Sequence, residues 1–364
     1  MGQIGRRVQF FIAVLVCCFG SPVGVRAALL TNIGVLDGHT HSGATDVNDA
    51  GVVVGVSFTI SDSPPGPTPP VNRAFRYTAS GGMQALTPVG TNSVATAVNN
   101  AGVIVGWSGG TISVGGFGFH WTAPGPIQNF PIGSQAHSIN DSGVIVGNLA
   151  QFGVPQHAFR YDGSGPQQDL GVIAGAQSYA YDINDAGVIV GWSNVNATAL
   201  KKAARYVNGA WSAVPGLSNV IDSEARAINE SGDVVGIVGT SGGFRFNNAA
   251  GTTASLAGDA SDINDAGFVV GSVNGRAALW RPNNTFVDLD AWLDATSPAE
   301  GANVTLTRAN AINNHGLIVG NAGSGGGQGA FLLDASALLP EPAAAISLIL
   351  PAAAAALLRR RRRA

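Results

Sequence analysis

The sequence predicts an all-β protein: a seven-bladed β-propeller of four-stranded blades, closed into a ring by an N-terminal strand that completes the last blade. One phrase recurs seven times, as in Asn184-Asp-Ala-Gly187-Val-Ile-Val-Gly191. The steps between the repeated asparagines are 51, 41, 44, 45, 35 and 49 residues, close to the roughly 40–50 residues of a four-stranded blade. Glycines number 51 and only 11% of residues are charged, which suits short strands and tight turns.

Each repeat begins with a predicted β-hairpin. In the fourth repeat, the alternating residues Ala180-Tyr-Asp-Ile183 indicate a strand with one buried face, and Asn184-Asp-Ala-Gly187 supplies the caps and the glycine that a hairpin turn requires. The β-branched run Val188-Ile-Val-Gly191 is typical of a returning strand buried on both faces. The seven repeat-turn asparagines are Asn48, Asn99, Asn140, Asn184, Asn229, Asn264 and Asn313.

Two further strands complete each predicted blade. A third strand alternates aromatic and polar residues, as in His157-Ala-Phe-Arg-Tyr161, and a short fourth strand follows, as in Phe286-Val-Asp-Leu289. We find only six fourth strands, because the chain enters its tail after Leu333, whereas Leu30-Thr-Asn-Ile-Gly34 is a spare strand before the first repeat. We therefore predict that this N-terminal strand completes the last blade and leaves no open sheet edge.

The first 27 residues have the parts of a bacterial export signal. Two arginines precede an apolar run from Val8 to Phe19, and Val25-Arg-Ala27 places small residues where signal peptidase cleaves. We predict cleavage after Ala27. This divides the chain into a signal peptide at 1–27, a seven-repeat propeller at 28–339 and a C-terminal tail at 340–364.

Both cysteines, Cys17 and Cys18, lie in the predicted signal, so we expect no disulfide and no thiolate-bound metal in the mature domain. Between residues 28 and 339 the chain has 21 acidic and 11 basic side chains, a formal charge of −10. A domain of that charge repels phosphate backbones and anionic lipids. Nucleic acid is therefore not an expected partner.

The tail has three parts in order. Pro340, Glu341 and Pro342 precede the mostly apolar run 343–358, and a block of five arginines follows. The arginines are Arg359, Arg360, Arg361, Arg362 and Arg363. As a helix the apolar run would span about 24 Å, short of a hydrocarbon core of about 30 Å, which favours a sorting signal over a permanent transmembrane helix. The arginines would keep the C-terminus cytoplasmic and the repeats outside.

These motifs resemble two known families. The phrase from Ile183 to Gly191, with its neighbour His157–Tyr161, resembles the HAF family of bacterial extracellular repeats over residues 44–334. His157 begins the only complete His-Ala-Phe, and several repeats depart from the pattern. The HAF resemblance implies an exported repeat architecture and no particular chemistry.

The tail is similar to the PEP-CTERM sorting signal of bacteria that make exopolysaccharide. That resemblance implies recognition and cleavage by an exosortase, after signal peptidase has acted at the other end. It also implies a precursor held transiently in the inner membrane. The expected final location is the cell surface, the outer envelope or the extracellular matrix.

No cofactor is predicted. The phrase Asp46-Val-Asn48-Asp49 superficially resembles a calcium loop, but valines follow where a bidentate carboxylate is needed, so a side-chain-stabilised turn is favoured over calcium. His39-Thr-His41 has no acidic partner at zinc spacing, which favours a solvated loop. The glycine-rich run Gly323–Gly329 precedes a strand rather than opening a helix, so we interpret it as a flexible hairpin loop and not as a phosphate cradle.

No catalytic motif is recognised, although carboxylates from different blades could converge over the central channel. Trp107 and Trp192 could present stacking platforms to sugars, but packing within the core or between blades is the more common use. We therefore favour a non-enzymatic surface or matrix protein that binds extracellular polysaccharide or other surface proteins. The alternative is a polysaccharide-cleaving hydrolase or lyase on the same scaffold.

Overall fold

The computed structural model describes residues 28–60, 72–87, 92–109, 116–149, 155–196, 200–324 and 327–339. Within these residues the chain forms seven antiparallel sheets of four strands, arranged as the blades of a β-propeller. The predicted fold class is confirmed.

Blades 1 to 6 each take four consecutive strands, and blade 7 takes the last three together with the first. From the inner to the outer strand the blades are β2 (His41–Val47), β3 (Val53–Phe58), β4 (Arg73–Thr78) and β5 (Gly82–Ala85); β6 (Ser93–Val98), β7 (Ile104–Ser108), β8 (Phe117–Trp121) and β9 (Gln128–Ile132); β10 (Ser134–Ile139), β11 (Ile145–Leu149), β12 (His157–Tyr161) and β13 (Gln168–Asp169); β14 (Ser178–Ile183), β15 (Ile189–Asn194), β16 (Lys201–Val207) and β17 (Ala210–Ala213); β18 (Ser223–Ile228), β19 (Val234–Val238), β20 (Gly242–Asn247) and β21 (Thr252–Ala257); β22 (Asp259–Ile263), β23 (Val269–Val273), β24 (Arg276–Trp280) and β25 (Phe286–Asp288); β26 (Thr305–Ile312), β27 (Leu317–Ser324), β28 (Gly327–Asp334) and β1 (Leu30–Gly34).

The apolar core lies between the blades rather than inside any one of them. Ile189 and Val190 are consecutive and fully buried, yet Ile189 packs with Val146 of blade 3 and Val190 packs with Phe244 of blade 5. The second strand of a blade is therefore covered on both faces, as its β-branched run predicts. Because the sheets hide their apolar faces only against their neighbours, the ring is the unit of stability.

A glycine ends the repeated phrase because the inner strand crosses it at close range. The pairing of β14 with β15 shifts register between Ala180 and Asp182, and a Cβ on Gly191 would lie 1.8 Å from the Tyr179 carbonyl oxygen. At the corresponding glycines of the other six blades the same distance is 1.9–2.1 Å. No side chain fits at such a distance, so the sequence keeps glycine there.

Strand β1 completes blade 7, as predicted. It pairs antiparallel with β28, with Leu30 opposite Leu333 and Gly34 opposite Ala330. The Glu300 carboxylate accepts the backbone N–H of Leu30 at 2.7 Å. The two ends of the described chain are thus joined in one sheet, and no sheet edge is left open between blades 1 and 7.

Two short helices between blades 6 and 7 were not predicted. They are α1 (Leu289–Thr296) and α2 (Pro298–Gly301). The Asp288 side chain caps α1 by accepting the backbone N–H groups of Asp290 and Ala291, as N-cap aspartates do. Both Leu289 and Leu293 are fully buried. The insertion also supplies Glu300, so it helps to hold the N-terminal strand in place.

The predicted hairpin loop at Gly323–Gly329 is too long, because most of this segment is paired strand. Strand β27 continues to Ser324 and β28 begins at Gly327, with Gly323 opposite Gln328. Thr305 of β26 pairs with Gly323 on its other side. Strand β27 is thus paired on both sides as far as Gly323, and its pairing with β28 continues to Ser324.

The predicted signal peptide, with its cleavage at Ala27, and the predicted sorting tail lie outside the described residues. Among the residues that are described, no helix is long and apolar enough to cross a membrane. The longest, α1, has 8 residues.

Candidate functional site

The seven inner strands line a channel along the propeller axis. One end, which we call the turn mouth, is formed by the repeated turns, and its cavity of about 210 Å³ is lined by residues of all seven turns. A second cavity of about 140 Å³ is lined in every blade by the residues two and three positions before the turn asparagine. We call the opposite end, beyond that cavity, the loop mouth.

The turn asparagines link the blades in a closed ring. In each blade the asparagine Oδ1 accepts the backbone N–H four residues later, and its Nδ2 donates to the carbonyl oxygen of the asparagine in the next blade. Asn313 donates to Asn48 at 3.0 Å and closes the circle. The seven side chains are only 4–6% exposed. The predicted hairpin turns are confirmed, and the asparagines also bridge neighbouring blades, which was not predicted.

The residues after these asparagines form a second closed ring at the turn mouth. Each backbone N–H donates to the side-chain oxygen of its counterpart in the next blade, at 2.7–3.0 Å. The seven residues are Asp49, Asn100, Asp141, Asp185, Glu230, Asp265 and Asn314. Asn100 donates to the carboxylates on both sides of it, as does Asn314. Five carboxylates therefore surround this mouth, spaced in part by amides.

The oxygens of the calcium-like phrase are engaged by backbone donors. Asp46 accepts the N–H groups of Val47 and Val98, and Asn48 accepts that of Val52. Within the described part of the chain, no three His, Cys, Asp or Glu side chains form a group suited to a metal ion.

Three aspartates project into the middle of the channel, from blades 1, 4 and 6. Each carboxylate accepts one backbone N–H from its own blade and one from the next: Asp182 accepts from Ile183 and Ile228, and Asp262 from Ile263 and Ile312. Asp46 bridges blades 1 and 2 in the same way. Carboxylates from different blades do converge on the channel, and their hydrogen bonds tie neighbouring blades together.

Burial makes these aspartates sensitive to pH. It raises the pKa of Asp46 to about 6 and that of Asp262 to about 7, while backbone donors partly oppose the rise. A carboxyl group whose pKa is higher in the folded state holds its proton more tightly there. The contribution of each protonated aspartate to folding stability is therefore complete below the unfolded-state pKa of 3.8. It is lost as the pH rises through the folded-state pKa values of about 6 to 7.

We accordingly expect Asp262 to make the protein less stable at pH 8 than at pH 5. The change Asp262→Asn should flatten this part of the profile, because the amide does not titrate, and should lower stability at pH 5 by about 1–2 kcal/mol through loss of one N–H acceptor. Denaturant unfolding of both proteins at several pH values measures the difference. If the free energy of unfolding changed equally with pH in the two proteins, the raised pKa of Asp262 would be contradicted.

The loop mouth carries an aromatic and charged cluster on blades 3 to 5. His137, Tyr179 and Tyr181 contact one another, with ring centroids 4.7 Å apart for His137–Tyr179 and 4.8 Å for Tyr179–Tyr181. Behind them Trp192 stacks on Tyr179 at 6.0 Å and an interplanar angle of 7°. Trp192 is 4% exposed, so it packs rather than presenting an open platform.

Glu224 organises the charges of this cluster. Its carboxylate accepts the Tyr181 hydroxyl at 3.1 Å and pairs with Lys201 Nζ at 3.3 Å and with an Arg226 guanidinium nitrogen at 2.8 Å. Lys201 Nζ lies 4.5 Å from the Trp192 ring centroid, and Arg226 Cζ lies 4.8 Å from that of Tyr181. Burial raises the pKa of Tyr181 to about 12, so its hydroxyl stays protonated and remains a hydrogen-bond donor.

His137 is held as a neutral ring. Burial lowers its pKa to about 4, against the opposing effect of its hydrogen bond with Asn148. The Nε2–Asn148 Oδ1 distance is 2.6 Å, so Nε2 carries the proton and Nδ1 is an acceptor. His137 therefore adds an uncharged acceptor to the mouth.

At the equivalent positions of their inner strands, the other blades have smaller side chains or charged side chains that pair with each other. Blades 1 and 2 present Gly43, Thr45, Val94 and Thr96 three and five positions before the asparagine. In blade 7 Arg308 pairs with Asp259 at 3.5 Å and donates to Ser261. Among the described residues, the aromatic and charged groups of this mouth are thus concentrated on blades 3 to 5.

This cluster was not predicted, because its residues do not recur from one repeat to the next and the histidines are scattered along the sequence. Counting back from each repeat asparagine would have found His137, Tyr181 and Arg226 at one position and Tyr179 and Glu224 two residues earlier. On a strand, such positions share one face.

The other candidate residues do not join the cluster. His41 Nδ1 lies 2.7 Å from the Thr40 hydroxyl, and its ring stacks on Phe58. Trp107, on β7 of blade 2, is partly buried. The sorting-signal residues Pro340 to Pro342 and the arginine block lie outside the described residues.

Comparison with solved structures finds other β-propellers. Virginiamycin B lyase from Staphylococcus aureus superposes with a TM-score of 0.53 and 11% identity, over 84% of this chain and 98% of the lyase. A puromycin hydrolase gives 0.48 and 14%, over 78% of this chain and 50% of the hydrolase. A gluconolactonase from Xanthomonas campestris gives 0.41 and 8%, over 84% and 89%. At these identities the likeness to the lyase shows the fold alone.

No protein-family model matches the sequence, and no curated protein is significantly similar to it. The resemblances to HAF repeats and to PEP-CTERM signals therefore stay predictions.

Proposed function

We propose that the protein is an exported, non-enzymatic propeller of the cell surface or matrix that binds extracellular polysaccharide at the loop mouth. The observation that supports this most is the cluster on blades 3 to 5, where Tyr179, Tyr181, Lys201, Glu224 and Arg226 meet at one end of the channel. Hydroxyl, ammonium and guanidinium groups beside aromatic rings supply the polar and apolar contacts that sugars use.

The channel is too small to enclose a polysaccharide, so binding across its mouth is favoured. The cavity beneath the cluster has about 140 Å³, less than the about 300–1,000 Å³ of pockets that surround a whole drug-sized ligand. A polysaccharide would lie across the loop mouth, with one sugar directed into it.

The proposed location depends on the two ends of the chain. Signal peptidase would remove residues 1–27, the tail would hold a precursor in the inner membrane, and an exosortase would cleave near Pro340–Pro342. Mass spectrometry of protein released from the native bacterium should show a chain that begins at Ala28 and lacks the arginine block. Replacing Pro340–Pro342 by alanines should leave the protein in the membrane fraction, and release of an intact tail would contradict sorting.

Binding should depend on Arg226. The change Arg226→Ala removes the guanidinium beside Glu224 and Tyr181, and we expect it to weaken binding to the producer's own polysaccharide about tenfold or more. Calorimetric titration of the purified protein measures this.

Arg160→Ala is the matched control. Arg160 is exposed to a similar degree, 33% against 35%, and pairs only weakly with Asp162, at 3.8 Å. The control should bind as the unchanged protein does. Equal affinities of all three proteins, or no binding to that polysaccharide, would contradict the proposed site.

Cleavage of polysaccharide is the second candidate, and the observation that favours it is the convergence of Asp46, Asp182 and Asp262 on the channel, with pKa values raised by burial. A general acid needs such a raised pKa. Release of reducing ends from the polysaccharide, abolished by Asp182→Asn in a protein that still binds, would establish cleavage in place of simple binding.

A further inference from the structure

We infer that the group recognised at the loop mouth is a single negative charge, the carboxylate of an acidic sugar such as a uronic acid. This inference rests on the proposed polysaccharide binding and names the class of sugar. It follows from which surfaces of the cluster remain available to a ligand.

The aromatic faces of the cluster are already covered by protein. Trp192 is stacked on Tyr179 and lies under Lys201 Nζ, and the Tyr181 ring lies under the Arg226 guanidinium. Stacking of a sugar on a free ring, the usual role of aromatic residues in sugar sites, is therefore restricted. The rings instead hold the two cations in place by cation–π contacts.

The cations are in excess at this mouth. Lys201 and Arg226 share the one carboxylate of Glu224, which leaves a surplus of one positive charge. The side chains of Lys201 and Arg226 are 38% and 35% exposed, against 14% for Glu224. A ligand arriving from outside therefore meets the cations before it meets the carboxylate.

The neighbouring charges do not remove this surplus. Lys202 is 2% exposed and donates to the Ile221 carbonyl oxygen. Its charge is offset by Asp222, which also accepts the Lys201 backbone N–H. Of the other described cations near this end, Arg308 pairs with Asp259, Arg276 pairs with Asp290, and Arg73 donates to the Thr87 carbonyl oxygen.

Both cations keep hydrogen-bond donors free for a ligand. An ammonium group has three N–H donors and a guanidinium has five. Within the described residues, Lys201 Nζ donates one hydrogen bond and the Arg226 guanidinium forms one ion pair, both with Glu224. A carboxylate, with its acceptor-only oxygens, matches this set of spare donors.

The channel below limits how far an anion can enter. Asp46, Asp182 and Asp262 line the next level, and the domain as a whole is at −10. A multiply charged group such as a phosphate polymer is repelled by this field. A single carboxylate at the mouth is attracted by the nearby Lys201 and Arg226 and stays outside the channel that the three aspartates line.

A matched pair of ligands tests the inference directly. A neutral oligosaccharide that ends in one uronic acid and the methyl ester of the same oligosaccharide have the same sugar chain and differ by a single negative charge. We expect the purified protein to bind the acid at least about tenfold more tightly than the ester, and the preference to shrink as salt is raised from about 0.05 to about 0.5 M. Lys201→Met should reduce the preference, and Glu224→Gln, which raises the surplus to two charges, should increase affinity for the acid.

The outcomes separate the inference from the proposed function. Equal or tighter binding of the ester, with Arg226 still required, would overturn the acidic-sugar inference and leave polysaccharide binding standing. Failure to bind the acid, the ester and the producer's own polysaccharide would overturn both. Because Glu224 also holds Tyr181, each variant's denaturant midpoint is measured. If the Glu224→Gln protein is unfolded, the Lys201→Met protein tests the inference instead. Lys201 is exposed, so its replacement should leave the fold intact.

Discussion

Replacing Ile33 by aspartate is expected to cost about 3–5 kcal/mol of folding free energy, a large part of the roughly 5–15 kcal/mol that stabilises a domain. Ile33 lies on β1, is 5% exposed and packs with Phe75 of blade 1 and Ala330 of blade 7. An unpaired carboxylate there is desolvated at the seam that closes the ring. Denaturant unfolding followed by tryptophan fluorescence measures the loss.

Asn32→Asp is the matched control. Asn32 precedes Ile33 on the same strand, is exposed, and uses its Oδ1 to accept the Gly34 N–H. Aspartate keeps that acceptor and puts the same charge in water, so we expect a change below about 0.5 kcal/mol. Similar losses for both variants would mean that β1 does not close the ring by burying this face.

Adding one methyl group at Gly191 is the second change with a large expected effect. In Gly191→Ala the new Cβ would lie 1.8 Å from the Tyr179 carbonyl oxygen and 3.0 Å from the Ala180 Cα. These are backbone atoms, so relief requires the inner strand of blade 4 to move. We expect a loss of about 3 kcal/mol or more, together with weaker polysaccharide binding, because Tyr179 and Tyr181 lie on that strand.

Gly323→Ala provides the comparison. Gly323 is also in a second strand, β27, but its added Cβ would meet only the Thr307 methyl group, at 3.7 Å. Ordinary van der Waals contact predicts little change. An equal loss at both positions would show that the cost is intrinsic to glycine replacement in these strands and not to the close approach at the bulge.

The architecture could be predicted from the sequence because every blade repeats the same local pattern. The turn at Asn184, the returning strand that contains Gly191 and the spare strand at Leu30–Gly34 are all placed by local pattern and by counting strands. What the repeat could not reveal is the partner of each asparagine. Its Nδ2 donates to the next blade, and that geometry follows from the radius of the ring rather than from any local sequence.

The candidate site is harder to predict for a physical reason. Repetition marks residues that build the blades, whereas a binding site depends on side chains that differ between blades at equivalent positions. His137, Tyr181 and Arg226 share one position but no chemistry, so a search for recurring motifs passes over them. The insertion that contains α1 was missed because a single 8-residue helix has no counterpart in the other repeats.

The ring itself can be tested with one disulfide. The natural cysteines, Cys17 and Cys18, lie in the predicted export signal, so cysteines placed at Thr31 and Leu332, which face each other across β1 and β28, would be the only pair in the propeller. Opposed strand residues lie within disulfide reach. We predict a monomer with an intramolecular disulfide joining the Thr31 and Leu332 peptides, and free thiols when Thr31→Cys is combined with Ser164→Cys in blade 3. Free thiols or cross-linked dimers in the Thr31–Leu332 pair would contradict a propeller closed by its N-terminal strand.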